Sequence, residues 1–156
     1  MSTVTLEIPL APRIPRAVAE AELEKYRGFT VNLKGRKKNY YEKIIASYEE
    51  GYEDKATAEI QQTIIRIGEV AIVAFPYELF SEIGLRIAKS SPIPYTLSLS
   101  NTNETGGYFV TEDQICRGGY EIDMFKTGQL QPYADNADWH LILQTLKNLE
   151  KLIDIN

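Results

Sequence analysis

The sequence predicts an α/β fold: a mixed sheet containing a parallel strand–helix–strand unit, with a long C-terminal helix packed on it. Three observations carry this. Glu69-Val70-Ala71-Ile72-Val73-Ala74-Phe75 is a short, nearly continuous apolar run, as expected of a strand covered on both faces. Leu79, Phe80, Ile83, Ile87 and Ala88 then recur at helical spacing, and Tyr95 to Ser100 alternates as a second strand. Finally, Trp139, Ile142, Leu146, Leu149 and Ile153 step by three and four, with Leu143 and Leu152 widening the stripe of a core-facing helix from Asp135 to Ile153.

At 156 residues, the chain has the length of one domain with a hydrophobic core of its own. A net charge of −5 argues against nucleic acid as a partner, because phosphates require a basic surface. No run of about 18 apolar residues is present, so no transmembrane segment is expected. The N-terminus lacks a basic segment followed by an apolar stretch, so no secretory signal is expected either. One cysteine, Cys116, excludes an internal disulfide. The reading is a soluble chain, cytoplasmic or secreted.

Taken in order, Thr3 to Ile8 alternates as a strand closed by Pro9. A chain that starts directly in a strand reads as the trailing part of something longer. Arg16 to Arg27 sets Val18, Ala21, Leu23 and Tyr26 on one side of a helix. Gly28 to Arg36 reads as a basic connection, and Asn39 as the cap of a helix from Tyr40 to about Tyr48. Thr57 to Ile67 alternates as a strand, and Gly68-Glu69 is a tight turn joining it to the apolar run as a hairpin. Pro76 ends that run and presets a helix from about Glu78 to Lys89, which Ser90 to Pro94 breaks. Strands joined by such a crossover are parallel neighbours connected right-handedly. Asn101 to Gly107 is a polar loop, Tyr108-Phe109-Val110 an extended piece, and Thr111 to Gln114 a helix start. Gly118-Gly119 makes a second glycine turn into a weakly patterned segment that reaches Gln131.

Walker-type loops, dinucleotide fingerprints, HExxH and GxSxG are absent. His140, the only histidine, follows Trp139 and reads as an ordinary, partly exposed residue. Glu78 lies just beyond the carboxyl end of a strand, where open α/β sheets place their ligands. It is also where the helix dipole favours a carboxylate for purely structural reasons. The loop after the next strand delivers Tyr108 to the same edge, and the glycine turn precedes Tyr120. One carboxylate and two phenols at such an edge can hold a metal or polarise a carbonyl.

The stretch RIGEVAIVAFPYELFSEIGLRI resembles the C-terminal part of the catalytic region of the neutral ceramidase family, zinc-dependent amidases that hydrolyse N-acyl sphingosine. Three landmarks, in order over roughly residues 60 to 125, carry the likeness. Gly68-Glu69, the apolar strand and Pro76-Tyr77-Glu78-Leu79-Phe80 correspond to the family's strand and zinc-binding glutamate. Asn101 and Asn103, followed by Tyr108-Phe109-Val110-Thr111, correspond to its asparagine loop and ligand tyrosine. Arg117-Gly118-Gly119-Tyr120-Glu121 corresponds to its second tyrosine. The resemblance implies that Glu78 and Tyr108 ligate zinc, while Tyr120 polarises the scissile amide.

This chain departs from the family at two points. Tyr77 stands where the family has glycine, which puts bulk beside the glutamate. The family's histidine ligands and catalytic serine belong to an N-terminal portion absent from this chain, whereas a catalytic zinc usually takes three protein ligands and an open position. The expectation is the C-terminal portion of a longer ceramidase-like hydrolase, inactive as an isolated chain. Its partners would be the histidine-bearing N-terminal portion and a small-molecule or lipid amide. Two rival expectations are a non-catalytic interaction or scaffold module and a related metal hydrolase with a different amide or ester substrate.

Overall fold

The chain runs β1 (Ser2–Pro9), α1 (Arg16–Tyr26), α2 (Asn32–Glu49), β2 (Thr57–Ile67), β3 (Val70–Ala74), β4 (Glu78–Leu79), α3 (Ser81–Ser90), β5 (Tyr95–Leu99), β6 (Tyr108–Phe109), α4 (Glu112–Ile115), α5 (Tyr120–Thr127) and α6 (Ala137–Lys151). The structure is a computed structural model that describes residues 1–102 and 104–153. Asn103, one of the two asparagines in the loop before Tyr108, lies outside the described residues.

The main sheet has the order β1-β2-β3-β5. β1 and β2 pair antiparallel, as do β2 and β3. The β2–β3 hairpin turns through Gly68-Glu69, with Gly68 at φ 59°, the positive value that the first residue of a type II′ turn needs. β3 and β5 are parallel, with Val70 opposite Tyr95 and Ala74 opposite Leu99, and α3 is the crossover between them. The strand–helix–strand unit and the mixed sheet are therefore as the sequence predicts.

One face of this sheet carries the core. Leu6, Ile8, Ile60, Ile64, Ala71 and Val73 are buried there with Ile83 and Ile87 of α3 and Leu141, Ile142 and Leu149 of α6. Gln144 clamps α6 to β1: its Nε2 donates to the Glu7 carbonyl at 2.6 Å, and its Oε1 accepts from the Glu7 N–H at 3.0 Å. α1 and α2 form a helical pair with a smaller core of Ala19, Tyr40 and Ile44. Arg13 ties this pair down, with its guanidinium on Asp54 at 2.5 Å and over the Tyr48 ring at 4.4 Å.

Five expectations need correction. The β3 run is not covered on both faces: Val70 and Ile72 are only half-buried on the outer side, and their row neighbours Ile67 and Leu97 are 70% and 54% exposed. α2 begins at Asn32, so Asn39 lies inside the helix and the basic stretch is helical. Gly35 permits that early start, because a Cβ there would sit 2.6 Å from the Thr30 carbonyl carbon. α3 begins at Ser81, and Glu78 belongs to a short strand instead of a first helical turn. The weakly patterned segment after Gly119 contains the helix α5. Finally, α6 is rotated relative to its apolar stripe. Asp138, Leu141, Ile142, Thr145 and Leu149 are buried, whereas Trp139 and Leu143 are 44% and 54% exposed. Polar pairing explains the rotation: Thr145 Oγ1 accepts from buried Gln62 at 2.9 Å, and Trp139 lies under the Arg86 guanidinium at 4.7 Å.

Candidate functional site

After Pro76 the chain stays extended for two residues and pairs with β6 as a parallel two-stranded ribbon. Glu78 stands opposite Tyr108, and Leu79 opposite Phe109. The Glu78 N–H donates to the Gly107 carbonyl at 2.8 Å, and the Phe80 N–H to the Phe109 carbonyl at 3.0 Å. Ser100 Oγ accepts from the Leu79 N–H at 3.1 Å, so the end of β5 also braces the ribbon. Alternation then divides the pairs. Phe109 is fully buried in the core, whereas Glu78 is exposed and Tyr108 half-exposed.

Tyr120 reaches the same place from α5. Gly118 and Gly119 take φ values of 65° and 112°, a reversal that side-chain-bearing residues resist. Tyr120 then opens the helix, 49% exposed, with its ring edge-on to Tyr108 at a centroid distance of 5.9 Å and an interplanar angle of 82°. The structure thus brings Glu78, Tyr108 and Tyr120 together. The Tyr108 phenol is pushed above its ordinary ionisation range by desolvation first, then by the charges of Glu78, Tyr120 and Glu121 and by hydrogen bonding with Glu78. Tyr108 is held as a neutral phenol beside a carboxylate. Glu121 belongs to the glycine-turn motif, and its charge acts on Tyr108, a role the motif alone does not imply. Its place one residue after Tyr120 is the sequence signal for that role.

Tyr77 does not lean over this cluster. Its ring lies against Gly106, edge-on to Phe109 at 5.3 Å, and its hydroxyl is 2.6 Å from that of Tyr133. Gly106 makes room for it, since a Cβ there would lie 2.3 Å from the ring. Behind Tyr108, a small cleft of about 70 Å³ is lined by Gly106, Met124, Phe125 and Tyr133. A larger cleft of about 610 Å³ lies elsewhere, between Leu10, Tyr52, Lys55, Glu59 and Gln131, and contains none of the three site residues. His140 is exposed on α6 and is not among the groups that act on Tyr108.

The donor set bears directly on zinc. Among the described residues, no three His, Cys, Asp or Glu side chains converge as metal ligands. One carboxylate and one phenol fit two positions of a zinc site and do not complete one. No helix in the described residues is long and apolar enough to cross a membrane. No family model, curated protein or solved structure matches the chain.

Proposed function

We propose that this chain contributes the oxygen-donor part of a zinc-dependent amidase centre resembling that of the neutral ceramidases, with the histidine donors carried by another stretch of polypeptide. The single observation that carries this reading is the convergence of Glu78, Tyr108 and Tyr120 from three separate segments. In this reading Glu78 and Tyr108 are ligands. Tyr120, exposed beside them, donates its O–H to the amide oxygen as negative charge develops there. Zinc, when bound, would polarise the carbonyl and acidify a water. Tyr108 must give up its proton to serve as a ligand, so metal affinity would rise with pH. An N-acyl amide such as ceramide is the proposed substrate class.

The test compares the purified chain with the same chain joined to, or associated with, its histidine-bearing portion, using a panel of N-acyl amides and esters. The expected result is no hydrolysis by the chain alone and zinc-dependent hydrolysis by the assembly, reduced by Tyr120→Phe about 10²-fold or more. Zinc-dependent amide hydrolysis by the isolated chain would overturn the division of the site. An assembly that cleaves only esters would favour a related hydrolase. The scaffold reading, in which Glu78 only fastens the ribbon through Tyr108, predicts that Glu78→Gln changes stability slightly and zinc content not at all.

A further inference from the structure

α2 carries five cations, and two of them have no partner. Lys34 lies over the Phe29 ring at 4.4 Å, Lys37 pairs with Asp123 at 2.8 Å, and Lys38 pairs with Glu42 at 3.6 Å. The side chains of Arg36 and Lys43 make no ion pair or hydrogen bond among the described residues. Arg36, Asn39, Tyr40 and Lys43 recur at i, i+3, i+4 and i+7, so they share one face of the helix.

That face meets the segment from Thr127 to Leu130, which Leu130 anchors against the Ala19–Tyr40–Ile44 core. Between them lies a cleft of about 200 Å³, and no carboxylate lines it. Around it stand the Arg36 guanidinium, the Lys43 ammonium, the Tyr40 phenol and the amides of Asn39 and Gln129, all able to donate hydrogen bonds. Tyr40, 7% exposed, keeps its proton because burial raises its pKa. Gln129 Nε2 is buried and makes no hydrogen bond of normal geometry, although the amide lowers the pKa of the Tyr133 phenol. An NH2 group has two N–H donors, so Tyr133 cannot answer both. A buried donor left unmet is costly, and a ligand oxygen would meet it. α5 ends at Gly128, and cations beside a helix C-terminus are favoured without any ligand. Neither Arg36 nor Lys43 hydrogen-bonds an α5 carbonyl, however, so the two charges are not committed to that role.

We propose that this cleft binds a phosphate dianion, free or as the phosphoryl group of a small ester, between Arg36 and Lys43. A guanidinium engages two phosphate oxygens at once, and an ammonium supplies a compact point charge. The amides of Asn39 and Gln129 donate to the remaining oxygens. Two facing cations favour a dianion over a carboxylate of single charge. The cleft is smaller than the about 300 to 1,000 Å³ of sites that enclose drug-sized ligands, so a phosphoryl group on a short ester fits and a nucleotide does not. The inference does not depend on the metal reading, since Glu78, Tyr108 and Tyr120 do not line this cleft.

The test is isothermal titration calorimetry of the purified chain, free of added metal, with inorganic phosphate, glycerol phosphate and acetate in low-salt buffer. The expected result is stoichiometric, saturable binding of phosphate, with acetate much weaker. Tighter binding of glycerol phosphate assigns the site to an ester, and tighter binding of inorganic phosphate assigns it to the free ion. Arg36→Gln and Lys43→Gln are each expected to weaken binding about tenfold or more, the worth of one charge-assisted hydrogen bond. Both side chains are exposed, so far-ultraviolet circular dichroism should be unchanged. Lys89→Gln removes the same charge from the last turn of α3 and is expected to leave binding as it was. Absence of saturation overturns the proposal. So does binding that neither α2 variant weakens, or that Lys89→Gln weakens equally. Loss of stability in both α2 variants without phosphate binding by the parent also overturns it, and the cations then serve only the end of α5.

Discussion

Glu78 and Tyr108 stand directly opposite each other in the parallel β4–β6 ribbon, with the Glu78 N–H on the Gly107 carbonyl at 2.8 Å. Their proximity is thus set by main-chain pairing and does not depend on either side chain. Substitutions at either position that keep the ribbon remove a functional group without moving its neighbour. That property makes the site open to clean dissection.

The ionisation of Tyr108 reports the pair most directly. Desolvation is the largest cause of its raised pKa and Glu78 the next. Glu78→Gln should therefore lower the Tyr108 midpoint but leave it above that of a free phenol. Ultraviolet titration read as a difference from Tyr108→Phe measures it. An unmoved midpoint would show that the carboxylate does not act on the phenol.

Alkaline stability should reflect the buried tyrosines. Burial raises the pKa of Tyr40, Tyr77 and Tyr133, and pushes Tyr41 up to about 12 from the ordinary value of 10.0. A raised folded-state pKa means that stability is fully present below the unfolded value. Above about 10 the unfolded chain ionises and the folded chain does not, so stability falls as pH rises toward the folded values. For Tyr133, 6% exposed, the loss approaches about 1.4 kcal/mol per pH unit. Urea midpoints should be flat from neutral pH to about 9 and fall beyond 10. Tyr133→Phe should flatten part of that fall.

Arg86 joins three elements. Its guanidinium lies 3.5 Å from Glu82, 3.5 Å from Asp113 and 3.4 Å from Asp138, whose side chain is fully buried with Oδ1 unpaired. Burial raises the Asp138 pKa, opposed first by backbone hydrogen bonds at Glu112 and Trp139 and then by the Arg86 charge, so Arg86 supplies part of what keeps the carboxylate ionised. Arg86→Met should cost about 3 kcal/mol in chemical denaturation. Adding Asp138→Asn should recover part of that cost, because no buried charge is left unpaired. Equal stability of the single and double variants would contradict this coupling.

Regular pattern made much of the fold legible. β2 occupies the span its alternation marks, and the Gly68-Glu69 turn and the parallel β3–β5 pair follow from turn chemistry and crossover length. The ribbon is less legible, because two residues have no period and Glu78, two residues after a proline, has the pattern of a helix start although it pairs with Tyr108. α6 misled because Asp138 and Thr145 are buried through polar partners that a hydrophobic stripe does not register. β5 alternated as read, but its sense is inverted: the core side had to be small beneath α3. The three candidate residues are singled out by landmark spacing, which carries no information on their placement in space. Their convergence depends on the positive φ values of Gly107, Gly118 and Gly119.

The most direct test of the central claim is the zinc content of the natively purified assembly, chain plus histidine-bearing portion, with each site residue changed in turn. The account predicts about one zinc per assembly in the parent. It predicts loss of that zinc in Glu78→Gln and Tyr108→Phe, and retention in Tyr120→Phe with hydrolysis lost. Full zinc retention in both Glu78→Gln and Tyr108→Phe would contradict it, and the ribbon would then be a structural fastening.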